Sequence, residues 1–168
     1  MRDGNERKGG GIMIILKNTA MDITEIQTKS NDILALKCSL KGFHFDLICA
    51  YLSVNEIEHN KAIYSEINKI LKDNNEKPTV ILVDFNAHVG FLGPQRKNRN
   101  GELLLNLTTE NNLAILNGNP NTQGKITWSQ GERESVIDYI LASHAMLAYF
   151  DHMNISYTFV INTHRNIC

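Results

Sequence analysis

Cysteine, proline and any excess of one charge are what this sequence lacks, and each shortage removes a class of protein. Three Cys in 168 residues, with no CxxC spacing, exclude a disulfide scaffold and give no zinc-ligand pattern. Three Pro and 11 Gly leave no collagen-like or low-complexity composition. The balance of 17 Lys and Arg against 18 Asp and Glu gives a net charge of −1, so no global basic field announces a nucleic-acid partner. Long apolar runs are missing too. The N-terminal one, Ile12 to Leu16, is too short for a signal-peptide core or a membrane span. No membrane partner is expected, and a reducing intracellular setting is the default. What remains is a chain that is 42% hydrophobic, enough to bury the core of one domain.

The pattern of that hydrophobicity changes along the chain. Gly9-Gly10-Gly11 leads into Ile12–Leu16, which reads as a short buried strand. Ile33–Leu40 and Phe43–Tyr51 are strand-like runs on either side of Lys41-Gly42, a hairpin signature. From Glu56 to Asp73 the spacing of Ile63, Ile67, Ile70 and Leu71 predicts an amphipathic helix. Thr79–Val83 is apolar throughout and reads as a strand buried on both faces. A polar loop, Phe91–Asn100, precedes a second helix from Gly101 to Asn112. Leu113–Leu116, Lys125–Trp128, Ser135–Ser143 and Ile155–Ile161 are further strands. Helices interleaved with strands, some adjacent as hairpins, predict an α/β layered domain with a mixed sheet. No GxGxxG follows a strand, which argues against a Rossmann domain.

Polar residues at strand ends are the first candidates for chemistry. Asp84 and Asn86 close the most apolar strand, and on an extended segment residues two apart project to the same side. The alternative is an Asx turn that merely ends the strand. Asp138 interrupts the apolar run Val136–Leu141, where an unpaired carboxylate costs several kcal/mol, so a partner is expected. His164, after the last strand, is one choice. Arg96, Lys97 and Arg99 fall within four positions, with no acid between Asp84 and Glu102. Such a loop either grips a phosphate backbone or is simply solvated.

Taken in order, ICAYLSVN, VILVDFNAHVG, ITW, SVIDYILAS and NTHRN resemble the endonuclease/exonuclease/phosphatase family. The run from DFNAHVG to NRNGELLLNLTTENNLAILNG is most like the apurinic-endonuclease-like endonuclease domain of non-LTR (LINE-type) retrotransposons. The resemblance covers Gly9 to Cys168. It implies a four-layer α/β sandwich, lacking its first strands and helix, with residues 1–8 disordered. It also implies metal-dependent phosphodiester hydrolysis and DNA nicking. On it, Asp84 positions or activates water and is a weak or indirect metal ligand. Asn86 and Tyr51 contact the phosphate, and Asp138 holds His164. Thr127 and Trp128 fall near the DNA-binding edge, with Arg96, Lys97 and Arg99 on the backbone. The implied cofactor is Mg²⁺ or Mn²⁺. The implied partners are DNA and a reverse transcriptase domain in the full-length element, and the implied location is nuclear where the element is active.

Two departures temper the expected activity. The family's metal-binding Glu lies upstream of the matching segment, and Thr163 stands where the family has Asp. Mg²⁺ needs hard oxygen ligands, so a fragment of this kind is expected to be weak or inactive. The alternatives are a non-catalytic nuclease remnant, or a phosphatase or phosphodiesterase of the same fold acting on a small phosphate ester.

Overall fold

The computed structural model describes residues 2–3, 11–15, 20–73, 77–156 and 166–167. In chain order its elements begin with strands β1 (Arg2–Asp3), β2 (Gly11–Ile12), β3 (Met21–Ile26), β4 (Ile33–Leu40) and β5 (Phe43–Tyr51). Helix α1 (Ile57–Asp73), strand β6 (Thr79–Asp84), helix α2 (Arg99–Glu110) and strand β7 (Leu113–Ile115) follow. After a 3₁₀ turn (Leu116–Gly118) come β8 (Thr122–Gln123), β9 (Trp128–Gln130), β10 (Arg133–Ser135) and β11 (Asp138–Ser143). The last elements are α3 (His144–Leu147), β12 (Met153–Ser156) and β13 (Asn166–Ile167).

Among the described residues the main sheet has six strands in the order β3-β4-β5-β6-β11-β7. Only β5 and β6 run parallel, and α1 supplies the crossover that parallel neighbours require. The other pairings are antiparallel. The β4–β5 hairpin closes at Lys41 (φ 49°) and Gly42 (φ 83°), the two left-handed residues of a twist-matched two-residue turn. Nothing lies within 4 Å of a Cβ placed on Gly42, so its backbone angle alone favours glycine there.

The α/β architecture and mixed sheet are those the sequence predicts, with local corrections. Thr79, Ile81 and Val83 are buried against the helices, whereas Val80, Leu82 and Asp84 are only half-buried on the other face. Burial on both faces of β6 is therefore not what forms. The predicted strand at Lys125–Trp128 begins at Trp128 instead, and that at Ser135–Ser143 divides into β10 and β11. Strand β3 has no counterpart in the sequence pattern, because MDITEI is polar and mostly exposed along the sheet edge. Arg2–Asp3 pair with Gly11–Ile12, so not all of residues 1–8 lack structure; the rest of that stretch lies outside the described residues. So do Leu16 and the latter part of the predicted strand Ile155–Ile161.

The largest core lies between the sheet and α1 and α2. Ile33, Ile48, Ile63, Ile67, Ile81, Leu104 and Leu141 are all fully buried there. Two smaller clusters serve the opposite face. Leu116 and Ala142 meet Met153 and Ile155 of β12, while Leu34, Leu36 and Cys38 form a patch of their own. No described helix is long and apolar enough to cross a membrane.

Candidate functional site

Strand register assembles the site. Tyr51 stands beside Asp84 across the parallel β5–β6 pair, and Asp84 stands opposite Asp138 across the antiparallel β6–β11 pair. One row at one end of the sheet thus carries Tyr51, Asp84 and Asp138 on the half-open face. Tyr51 is 39% exposed, and both aspartates are half-buried. Two carboxylates directly opposite on neighbouring strands repel one another, which makes the row a natural place for a cation or a proton donor.

Backbone groups on both sides of the row are fixed. The Tyr51 N–H donates to the Asp32 carbonyl at 3.0 Å, and the Leu52 N–H donates to the Asp84 carbonyl at 2.9 Å. Asp138 is the first residue of β11, not an interruption within it. Its N–H donates to Thr127 Oγ1 at 3.1 Å, and Asn117 Nδ2 donates to its carbonyl at 3.0 Å. Asn117 Oδ1 also accepts from the Ile140 N–H at 3.0 Å.

The loop after Asp84 departs from extended geometry at once. Asn86 has φ 45°, so the two-residue alternation expected to aim Asp84 and Asn86 together does not hold. The Asn86 N–H donates to Asp84 Oδ1 at 3.2 Å, an Asx turn, and Nδ2 donates to the Leu52 carbonyl at 2.7 Å. Phe85, fully buried, anchors this loop between Tyr64 (ring centroids 5.6 Å apart) and Tyr139 (6.0 Å). The Tyr139 hydroxyl donates to the carbonyls of Ala87 and Val136 at 3.0 and 3.1 Å. Burial raises the Tyr139 pKa, which keeps that hydroxyl a donor.

The basic loop is tied to the same segment. Asn98 caps α2: its Oδ1 accepts from Gly101 N–H at 2.8 Å and His88 N–H at 2.9 Å, and its Nδ2 donates to the Asn86 carbonyl at 3.0 Å. Gly101 lies so close beneath His88 that a Cβ would fall 2.0 Å from the His88 carbonyl oxygen. The flanking Lys97 and Arg99 are thereby held beside the loop that follows Asp84. Arg96, Lys97 and Arg99 are exposed. Lys97 Nζ reaches Glu102 Oε1 at 3.8 Å across solvent, a contact too weak to neutralise it.

Of the remaining expected residues, Thr127 lies beneath the row. It is fully buried, with its hydroxyl accepting from the N–H groups of Ile137 and Asp138, so it holds the Asp138 backbone. Trp128 is half-buried on β9. His164 and Thr163 lie outside the described residues. Asn98, Asn117 and Tyr139 were not singled out from sequence, since Asn reads as a turn residue and Tyr as core. A polar residue at the head of a helix after a basic loop was the available signal for Asn98.

Other titratable groups near the row are poor nucleophiles or bases in their present state. Burial pushes the Cys49 thiol up to about 11, so it stays protonated at neutral pH. Burial lowers the His88 pKa, partly opposed by a hydrogen bond to the Val136 backbone. Among the described residues no three His, Cys, Asp or Glu converge on one point, so they build no closed metal cage. Mg²⁺ is often held by one or two carboxylates plus substrate phosphate oxygens, and Asp84 opposite Asp138 meets that lesser requirement.

Comparisons with known proteins place the fold. Residues 45–167 match the family model described as endonuclease-reverse transcriptase. The endonuclease domain of TRAS1, a telomere-specific non-LTR retrotransposon, superposes with a TM-score of 0.78 at 18% identity, covering 90% of this chain and 69% of that one. A mannosyl-6-phosphatase of Bacteroides thetaiotaomicron gives 0.58 at 12% identity, over 80% of this chain and 54% of that one. TDP2 of D. rerio, solved with a single-strand DNA product, gives 0.52 at 13% identity, over 88% and 64%. At these identities the likeness establishes the fold. No curated protein matches the sequence.

Proposed function

The chain belongs to the endonuclease-reverse transcriptase family, and from that premise we propose that it is a DNA-nicking endonuclease domain of non-LTR retrotransposon type. The observation that carries this reading is the Tyr51–Asp84–Asp138 row, with Lys97 and Arg99 flanking Asn98, which is fastened to the loop that follows Asp84. A phosphodiester sits against the row while the cations hold its flanking phosphates. In this reading Asp84 orients the attacking water, and Tyr51 and Asn86 hydrogen-bond the phosphate oxygens. Asp138 orients His164, which exchanges a proton at the scissile phosphate. Asp84, together with substrate oxygens, would hold Mg²⁺ or Mn²⁺, which would supply Lewis-acid neutralisation of the developing charge. DNA is the substrate and the nucleus the place of action, with a reverse transcriptase domain as partner in the full element.

The fold is shared with a sugar-phosphate phosphatase, so substrate class rests on the site. Purified protein with Mg²⁺ is offered supercoiled plasmid and, separately, p-nitrophenyl phosphate. Plasmid nicking without monoester hydrolysis is the expected result. Monoester turnover without nicking replaces this reading with a small-phosphate phosphatase, and inertness toward both leaves a non-catalytic member of the family.

A further inference from the structure

Two helices send asparagine side chains into the space between the loops that follow β5 and β6. Asn60 of α1 is fully buried and Asn100 of α2 is 2% exposed. Asn60 Oδ1 accepts from the Ser53 N–H at 3.0 Å, and its Nδ2 donates to the Ser53 carbonyl at 2.7 Å and to Asn100 Oδ1 at 3.0 Å. Asn100 Nδ2 in turn faces the carbonyls of Phe85 (3.0 Å), Ser53 (3.2 Å) and Asn86 (3.5 Å). The Asn86 carbonyl also accepts from Asn98 Nδ2. The Tyr64 hydroxyl donates to the Asn100 carbonyl at 3.2 Å, closing the group from below.

Apart from the bond between Asn60 and Asn100, each of these carboxamide contacts falls on the backbone of Ser53 or of Phe85 to His88. Those are the segments directly after Tyr51 and Asp84. Hydrocarbon side chains would fill the same space without the need to satisfy several buried polar atoms. A connected polar network instead fixes one relative geometry of the two loops, including the left-handed Asn86. We propose that Asn100, supported by Asn60 and Asn98, is a positioning residue: the buried carboxamides set the spacing between the Tyr51–Ser53 and Asp84–His88 segments. This rests on the proposed hydrolytic role of the row, because the spacing matters for catalysis only if Tyr51 and Asp84 act on one phosphate.

The test uses Asn100→Ser; should that fail to fold, Asn60→Ser replaces it and is read at His88 alone, because the Ser53 N–H donates to Asn60 itself. Amide hydrogen exchange is followed at Ser53 and His88, neither of which bonds to Asn100 through its N–H, with the Ile48 amide of the β5–β6 ladder as internal reference. Plasmid nicking is measured in parallel. The network predicts that Ser53 and His88 exchange about tenfold faster or more, while Ile48 is unchanged. It also predicts that kcat falls about tenfold or more with KM for plasmid within about twofold. A purely structural role lowers the melting temperature without moving kcat per folded molecule, and unchanged kcat or unchanged exchange overturns the proposal. If the wild type does not nick at all, the hydrolytic reading fails separately, and the exchange of Ser53 and His88 alone decides whether the network couples the two loops.

Discussion

The two faces of the six-stranded sheet are built from the same strands and differ in almost everything else. The face toward α1 and α2 is dry, with Ile33, Ile48, Ile81 and Leu141 fully buried in one continuous cluster. The opposite face is served by two small clusters, and Val80, Leu82 and Ile140 between or beside them remain half-buried. Carboxylates occur on both faces, at opposite ends of the sheet. Asp84 and Asp138 occupy the half-open face in one row. The helix face carries Asp46, 4% exposed, near the opposite end of the sheet beside Thr79. The comparison teaches that stability and chemistry are assigned to different faces, so a side chain's consequence depends on its parity along the strand.

The sharpest way to break that division is to truncate neighbours of opposite parity on β6. Ile81→Ala opens a cavity in the dry core and is expected to cost about 3 kcal/mol or more, whereas Leu82→Ala next to it is expected to cost less than about half of that. Chemical denaturation of the two variants checks the difference, and equal losses would erase the distinction between the faces. A smaller effect comes from Asp46. Burial raises its pKa, with Lys77 and then Lys37 opposing the shift. A carboxyl whose folded-state pKa is raised contributes stability that is full below its unfolded value and is lost as pH rises through the folded value. At pH 7 the folded protein therefore bears the cost of a buried charge. Asp46→Asn is expected to raise the melting temperature by about 2–4 °C at pH 7, with the gain shrinking as pH falls toward the ordinary carboxylate range. A gain that persists undiminished at low pH would mean that Asp46 is not penalised by burial.

How much of this was legible in the sequence depended on whether one residue's neighbours were near it in the chain. The β4–β5 hairpin was readable because alternation and Lys41-Gly42 are local, and α1 because Ile63 and Ile67 repeat at helical spacing. Asp84 and Asp138 could each be picked as polar residues against apolar runs, but their direct pairing is a property of register. The left-handed Asn86 was misread because strand alternation was extended past the strand's last residue. The burial of Thr127 could not be read from its motif. Asn60 did leave a trace: it lies on the same stripe as Ile63, Tyr64 and Ile67, where a polar residue on the apolar face of a helix needs a partner.

The central claim is that the row at the open face performs hydrolysis, and it turns most directly on the charge of Asp84. Wild type and Asp84→Asn, which keeps the side chain's size and is verified as folded by its melting curve, are compared for the rate of supercoiled plasmid nicking with Mg²⁺. The account predicts measurable nicking by the wild type and a loss of about a hundredfold or more in the variant. Equal rates in the two proteins would contradict it.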